Sequence, residues 1–177
     1  MLTWAPKMHH MYSEMMRKLL AFNTKLKRPF PNSVFANFTA NFGPETVCYD
    51  HKDSGNLPCG WCVITALGEF DYKRGGHLVL WDLNMVIEFP PGCSIMIPSA
   101  IMRHSNTCIR PGELRYSFTQ YSAGGLFRFV DYNFQLDEDY WGGLKGEALK
   151  EALKHRSSRR REAFTVFSSV DELLSSV

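Results

Sequence analysis

The chain has 177 residues, 45% hydrophobic and 21% charged, with 13 glycines and 9 prolines, which suits one compact domain of about 150 residues with additional ends. The longest apolar stretches, such as Cys62–Leu67 and Ile95–Pro98, fall well short of the roughly 20 residues a membrane span needs, and Met1–Leu20 lacks a continuous apolar segment before a small-residue cleavage site, so neither a span nor a secretory signal is expected. Five cysteines at irregular spacing exclude a disulfide framework and suit a reducing compartment, while the net charge of +2 conceals +5 in residues 7–28, +5 in residues 145–161 and −5 between them.

Met8, Met11, Tyr12, Met15, Met16, Leu19 and Leu20 recur at helical spacing and predict a helix over Met8–Leu20 with a packed methionine face. The adjacent His9 and His10 point around that helix, not towards one metal. After the basic stretch Lys25–Arg28 and the break at Pro29 and Pro31, the texture changes to short β-branched and aromatic runs. Strands are predicted at Val34–Phe38, Val47–His51, Trp61–Leu67, His77–Leu80, Met85–Phe89, Ser94–Ile97, Met102–Asn106, Arg115–Tyr121 and Phe127–Val130. Gly75-Gly76, Pro90-Pro91-Gly92 and Arg110-Pro111-Gly112-Glu113 supply turns. Many short strands with close turns, and no long helices alternating between them, indicate an antiparallel sandwich or barrel of jelly-roll type. A second helix is expected at Leu144–Lys154, followed by a basic, loosely ordered run at His155–Arg161. The expected organisation is a basic helical segment at 1–28, a β core at 29–134 and a helical, partly basic extension at 135–177.

The segment Tyr49-Asp50-His51-Lys52-Asp53-Ser54-Gly55-Asn56 is the informative one. His51 and Asp53 are two apart, so on a strand they leave the same face and can reach one metal ion. A second imidazole must come from another strand, and His104 is better placed for this than His77 or His155. Eleven residues later, past Pro111-Gly112, Arg115 and Ser117 share a face of the returning strand. A guanidinium fork and a hydroxyl can hold the far carboxylate of a dicarboxylate whose near end chelates the metal. Two imidazoles and a carboxylate on one face of Fe(II) leave positions for a 2-oxo acid and O₂. This pattern points to oxidative decarboxylation of 2-oxoglutarate coupled to hydroxylation of a nearby C–H bond. Taken singly, each residue has a structural explanation: His51 capping a turn, Asp53 opening one with Gly55-Asn56, and Arg115 pairing with Glu113. Their joint order in a β context favours the metal. Asn41 and Asn56 flank the ligand pair as candidates to orient the ligands or to contact substrate.

The run from Asn41 to Asn56, together with Ala66-Leu-Gly-Glu-Phe-Asp, Gly75-Gly76-His-Leu-Val-Leu, Pro91-Gly92, Ser99-Ala-Ile-Met-Arg-His104-Ser-Asn and Gly112-Glu-Leu-Arg115-Tyr-Ser117-Phe-Thr-Gln-Tyr121, resembles the TET/JBP group of Fe(II)/2-oxoglutarate dioxygenases. The similarity spans roughly residues 29–134 and is strongest to the short forms abundant in mushroom-forming fungi, often near transposons. It implies a double-stranded β-helix with flanking N- and C-terminal helices, and oxidation of the methyl group of thymine or 5-methylcytosine in DNA inside the nucleus. It places His51, Asp53 and His104 on the iron ligands, Arg115 and Ser117 on the 2-oxoglutarate contacts, and Tyr121 near the target base. Ala123 stands where animal members have a base-contacting histidine, and the accessory DNA-binding regions of animal TET and of JBP proteins are missing, so base identity transfers least securely. N6-methyladenine, RNA and a protein side chain are the alternative substrates. A non-enzymatic jelly-roll binding module is the remaining alternative.

A small core with a net acidic middle would have to hold DNA through its basic flanks, 7–28 and 145–161. Cys59-Gly-Trp-Cys62 has the C-x-x-C spacing of a redox site, but the β-type sequence following it lacks the helix such a site requires, so packing explains the cysteines better.

Overall fold

The computed structural model describes residues 1–174; Ser175–Val177, the end of the expected C-terminal extension, and the side chain of Arg160 in its basic run lie outside the described residues. Two compact units are present: Phe35–Ala123, and a helical unit formed by Met1–Val34 with the chain from Gly124 onwards.

The first unit contains β1 (Asn37–Asn41), β2 (Cys62–Glu69), β3 (Leu78–Leu80), β4 (Met85–Ile87), β5 (Ser94–Ile97), β6 (His104–Asn106) and β7 (Leu114–Tyr121). These strands form two antiparallel sheets, in the orders β1-β7-β2-β5 and β4-β3-β6. The segment from Thr46 to His51 runs along the free side of β6: Asn106 N–H donates to Cys48 O at 3.1 Å, and His51 and His104 form a backbone bridge. The fold is a jelly roll, mainly antiparallel β with flanking helices.

Period-two alternation builds the core between the sheets. On β2, Cys62, Ile64 and Ala66 are buried, and Leu78 and Leu80 of β3 join them with Phe70, Phe89 and Ile97. On β7 the same alternation buries Arg115 and Ser117, which pair with Gly68 and Ala66 of β2. Two polar side chains therefore sit on the face that the pattern reserves for the interior.

In the helical unit, α1 (Pro6–Phe22) starts with proline at its first position, where the missing N–H costs nothing. It buries Met8, Tyr12, Met15, Met16 and Leu19 at the predicted spacing. Then come α2 (Gly124–Asp131), α3 (Asp137–Gly143), α4 (Gly146–Thr165) and α5 (Val170–Leu174). Tyr12 meets the edge of Phe127 at 5.2 Å, and Tyr132 stacks on Tyr140 at 4.0 Å.

Four expected segments differ from the structure. Phe127–Val130 is helical, not a strand: a short apolar run has no decisive period, and Leu126, Phe129 and Val130 recur at helical spacing once Gly124 starts the turn. The basic run His155–Arg161 lies within α4, where Arg159 pairs with Asp131 at 3.0 Å and caps the Tyr132 ring at 5.3 Å. Val47–His51 contributes one bridge, His51 to His104, and the Asn106–Cys48 hydrogen bond to β6 in place of a continuous strand, and the predicted Val34–Phe38 strand begins three residues later.

Gly68 is the tightest point of the β2–β7 pairing. Its φ is +116°, and a Cβ there would lie 2.2 Å from the carbonyl oxygen of Leu114, a backbone atom with no freedom to yield. Gly68→Ala should destabilise the fold by about 2–4 kcal/mol, combining backbone strain with overpacking, as read from chemical denaturation.

Candidate metal centre

His51 and His104 are a hydrogen-bonded antiparallel pair: each N–H donates to the other's carbonyl, at 3.1 and 3.0 Å. Side chains of such a pair leave the same face side by side, and here the ring centroids are 4.3 Å apart. Two residues on, Asp53 points the same way, its N–H anchored to Ser99 O at 3.0 Å. His51 Nε2 lies 3.6 Å from Asp53 Oδ1, and His104 Nε2 lies 4.0 Å from Asp53 Oδ2. One nitrogen or oxygen from each of the three lies within 4.8 Å of the others.

The surroundings set the tautomers. His51 Nδ1 is 2.7 Å from Tyr49 O, and His104 Nδ1 is 3.0 Å from Met102 O. A carbonyl only accepts, so each Nδ1 carries a proton, and Nε2, the lone-pair nitrogen of that tautomer when the ring is neutral, is the atom turned towards Asp53. Two lone pairs and a carboxylate converging in this way are a donor set for a divalent cation, with the second ring nitrogen oriented by a carbonyl as metal-binding histidines usually are.

Arg115 lines the same cavity and is 2% exposed. Its Nη1 donates to Thr46 O at 3.0 Å, while Nε is buried with no partner. Burial holds the guanidinium below its ordinary pKa, with the Cys48 thiol opposing in part. A buried cation with an unmet N–H is costly until an anion reaches it. The structural explanation for Arg115 fails, because Glu113 pairs with Arg110 at 2.7 Å. Asp53 does open a turn, its carbonyl accepting Asn56 N–H at 2.8 Å, but that uses the backbone and leaves the carboxylate facing the imidazoles.

All eight residues singled out from the sequence line one cavity of about 490 Å³. Tyr121 ends the β7 face that carries Arg115, Ser117 and Thr119. Asn41 donates from Nδ2 to Ser117 Oγ at 2.9 Å. Asn56 Nδ2 reaches Ser99 Oγ at 3.1 Å and Asp53 Oδ2 at 3.4 Å.

Sequence reasoning missed the residues that hold these groups in place. Asn106 accepts Cys48 N–H at 2.8 Å and donates to Thr46 O at 3.1 Å, tying the His51 segment to β6. Its position two residues after His104 was the available signal. Arg103 forms a two-pronged ion pair with Asp50, so the neighbours of both histidines are also clamped, and Asp82 accepts Arg103 N–H at 2.7 Å. Cys59 and Cys62 are free thiols, and burial pushes Cys62 up to about 11, which disfavours the thiolate that redox exchange needs.

No protein-family model and no curated protein matches this sequence. Among solved structures, NgTET1 in complex with 5mC DNA is similar at 17% identity and TM-score 0.46, covering 63% of this chain and 47% of that one. The viral collagen prolyl hydroxylase vCPH from Paramecium Bursaria Chlorella virus-1, as a 2OG complex, is similar at 14% identity and TM-score 0.35, covering 60% and 68%. An RmlC-like cupin protein from Desulfovibrio desulfuricans is similar at 14% identity and TM-score 0.31, covering 54% and 95%. This chain thus spans less than half of NgTET1. At such scores these likenesses carry no chemistry to this chain, whose site stands on its own residues.

Cys48 also lines the cavity, and burial holds its thiol above the ordinary value. Alkylation of Cys48 should be slow near pH 7.5 and should accelerate towards about pH 10, with exposed Cys93 and Cys108 labelled first and Cys62 last. Peptide mass spectrometry over a labelling time course reads the order.

Proposed function

We propose that this chain is an Fe(II)- and 2-oxoglutarate-dependent dioxygenase that oxidises the methyl group of a modified base, of the 5-methylcytosine or thymine type, in DNA in the nucleus. One observation carries the reading: two imidazoles and a carboxylate bring one ligand atom each within 4.8 Å of the others in a cavity also lined by a buried arginine with an unpartnered N–H and, two residues along its strand, a serine.

His51, Asp53 and His104 would hold the metal, which supplies the redox chemistry coupling decarboxylation of the cosubstrate to C–H oxidation. In sum, R–CH₃, 2-oxoglutarate and O₂ give R–CH₂OH, succinate and CO₂. The protein's own part is placement. The Tyr49 and Met102 carbonyls keep each Nδ1 protonated, so that both Nε2 atoms are available to the metal. Arg115 and Ser117 receive the distal carboxylate of 2-oxoglutarate, which gives the stranded Nε–H its acceptor and offsets the cost of burying the guanidinium. Tyr121 and Asn56 line the remaining space, where an extruded base can stack and be read.

A duplex hides its bases, so the chain must grip the backbone while one base is out. Both basic flanks belong to the helical unit. Several of their cations already have partners, Arg17 with Glu14, Lys150 with Glu147 and Lys7 with Glu172, but these pairs are exposed and weak enough to exchange for phosphates.

His104→Ala should lower Fe(II) or Mn(II) affinity by at least about 100-fold and abolish 2-oxoglutarate turnover. Binding by the variant at the parent level would overturn the ligand assignment. On pooled methylated DNA, RNA and peptide, mass spectrometry should find the hydroxylated product in DNA; product confined to another pool would overturn the substrate. Neutralising Lys25, Lys27 and Arg28 together should flatten the dependence of log affinity on log salt by about 0.9 for each phosphate that the variant no longer neutralises.

A further inference from the structure

We infer that Asn41 is a positioning residue for the carboxylate end of the cavity, fixing the Ser117 hydroxyl as a donor. The inference rests on reading Arg115 and Ser117 as the carboxylate-binding end of the site, and it moves Asn41 away from the direct substrate contact that the sequence left open.

Asn41 and Ser117 are directly opposite each other in the β1–β7 register, and both line the cavity. The Asn41 backbone is itself held, because Thr46 Oγ1 donates to its carbonyl at 3.4 Å. From that fixed point Nδ2 donates to Ser117 Oγ at 2.9 Å. A serine hydroxyl has one proton and two lone pairs. With a lone pair occupied by the amide, the proton is directed elsewhere, and Ser117 Oγ makes no other hydrogen bond among the described residues. Two residues along the same face, Arg115 Nε–H also lacks an acceptor. Two residues that line the cavity thus each hold a donor, one in a guanidinium and one in a hydroxyl, with no acceptor among the described residues. A carboxylate, with two acceptor oxygens, is their complement.

An isolated serine in this place could equally well turn its lone pair to the cavity and repel that carboxylate. The amide biases that choice, because it occupies one of the two lone pairs and turns the hydroxyl proton away from itself. Reversing its polarity should therefore be worse than deleting it: an aspartate at 41 would accept the Ser117 proton and add a negative charge beside the anion subsite.

The test is calorimetric titration of the full chain with succinate alone and with N-oxalylglycine plus Mn(II). It compares the parent with Asn41→Ala, Asn41→Asp, Ser117→Ala and the double variant Asn41→Ala/Ser117→Ala. Asn41→Ala should weaken dicarboxylate binding by about 3–10-fold, and Asn41→Asp, the same shape with reversed polarity, by more than about 30-fold. In the Ser117→Ala background the Asn41→Ala change should cost less than about 1.5-fold, because Asn41 then has nothing to orient. KM for DNA should stay unchanged in Asn41→Ala, and melting temperatures confirm that each variant is folded. Additive losses, or unchanged dicarboxylate binding with a raised KM for DNA, would overturn the inference and make Asn41 a substrate contact. Failure of the parent to bind any dicarboxylate would overturn it as well. Coupled dicarboxylate binding without 2-oxoglutarate turnover would uphold this inference and sink the dioxygenase reading, so the two fail separately.

Discussion

The reciprocal backbone hydrogen bonds between His51 and His104 are the contact on which the site depends. They place two imidazoles from segments about fifty residues apart side by side on one face, and the candidate ligand cluster is arranged around that pair. Asp53 follows two residues later, aimed by its N–H bond to Ser99 O and by the turn it opens with Asn56. The bridge is short, and the protein reinforces it from both sides: Asn106 pins the segment before His51, and the Asp50–Arg103 pair clamps the rim. Exposed ion pairs contribute little on their own, but one that joins the immediate neighbours of both histidines resists the shear that would separate them.

The arginine that lines this cavity obeys a different constraint. Arg115 is buried on the face that alternation assigns to the core, where an unpartnered guanidinium N–H is unfavourable. A fold organised for stability alone would fill this place with an apolar side chain. The strand keeps the arginine between Gly68 of β2, where no side chain could fit, and a Thr46 carbonyl that takes one of its donors. The cost falls on Nε, which is buried without a partner in a side chain that lines the cavity, where a ligand could offset it.

Much of this was legible in the chain. The methionine stripe of α1, the spacing of β2, β5 and β7, and the dense turns lead to a helix and a jelly roll because each of those patterns has a single period over enough residues. Where the period is undecided, reading fails: Phe127–Val130 is four apolar residues that suit either a strand or a helix, and packing beside Tyr12 in the helical unit accompanies the second outcome. His155–Arg161 looked too polar to be ordered, since its partners Asp131 and Tyr132 lie far away in sequence.

The sequence by itself determined which side chains could share a face: Arg115 with Ser117 and Tyr121, because parity along a strand is a local property, and His51 with Asp53 by spacing alone, since Asp53 lies outside any strand. Only the tertiary structure decided that these two faces meet in one cavity, which Nδ1 atoms find carbonyls, that Glu113 turns to Arg110 and leaves Arg115 for the cavity, and that Asn41 lies opposite Ser117. Those facts depend on strand register between segments distant in sequence, and register is set by the packing of the whole barrel, which no local window of residues contains.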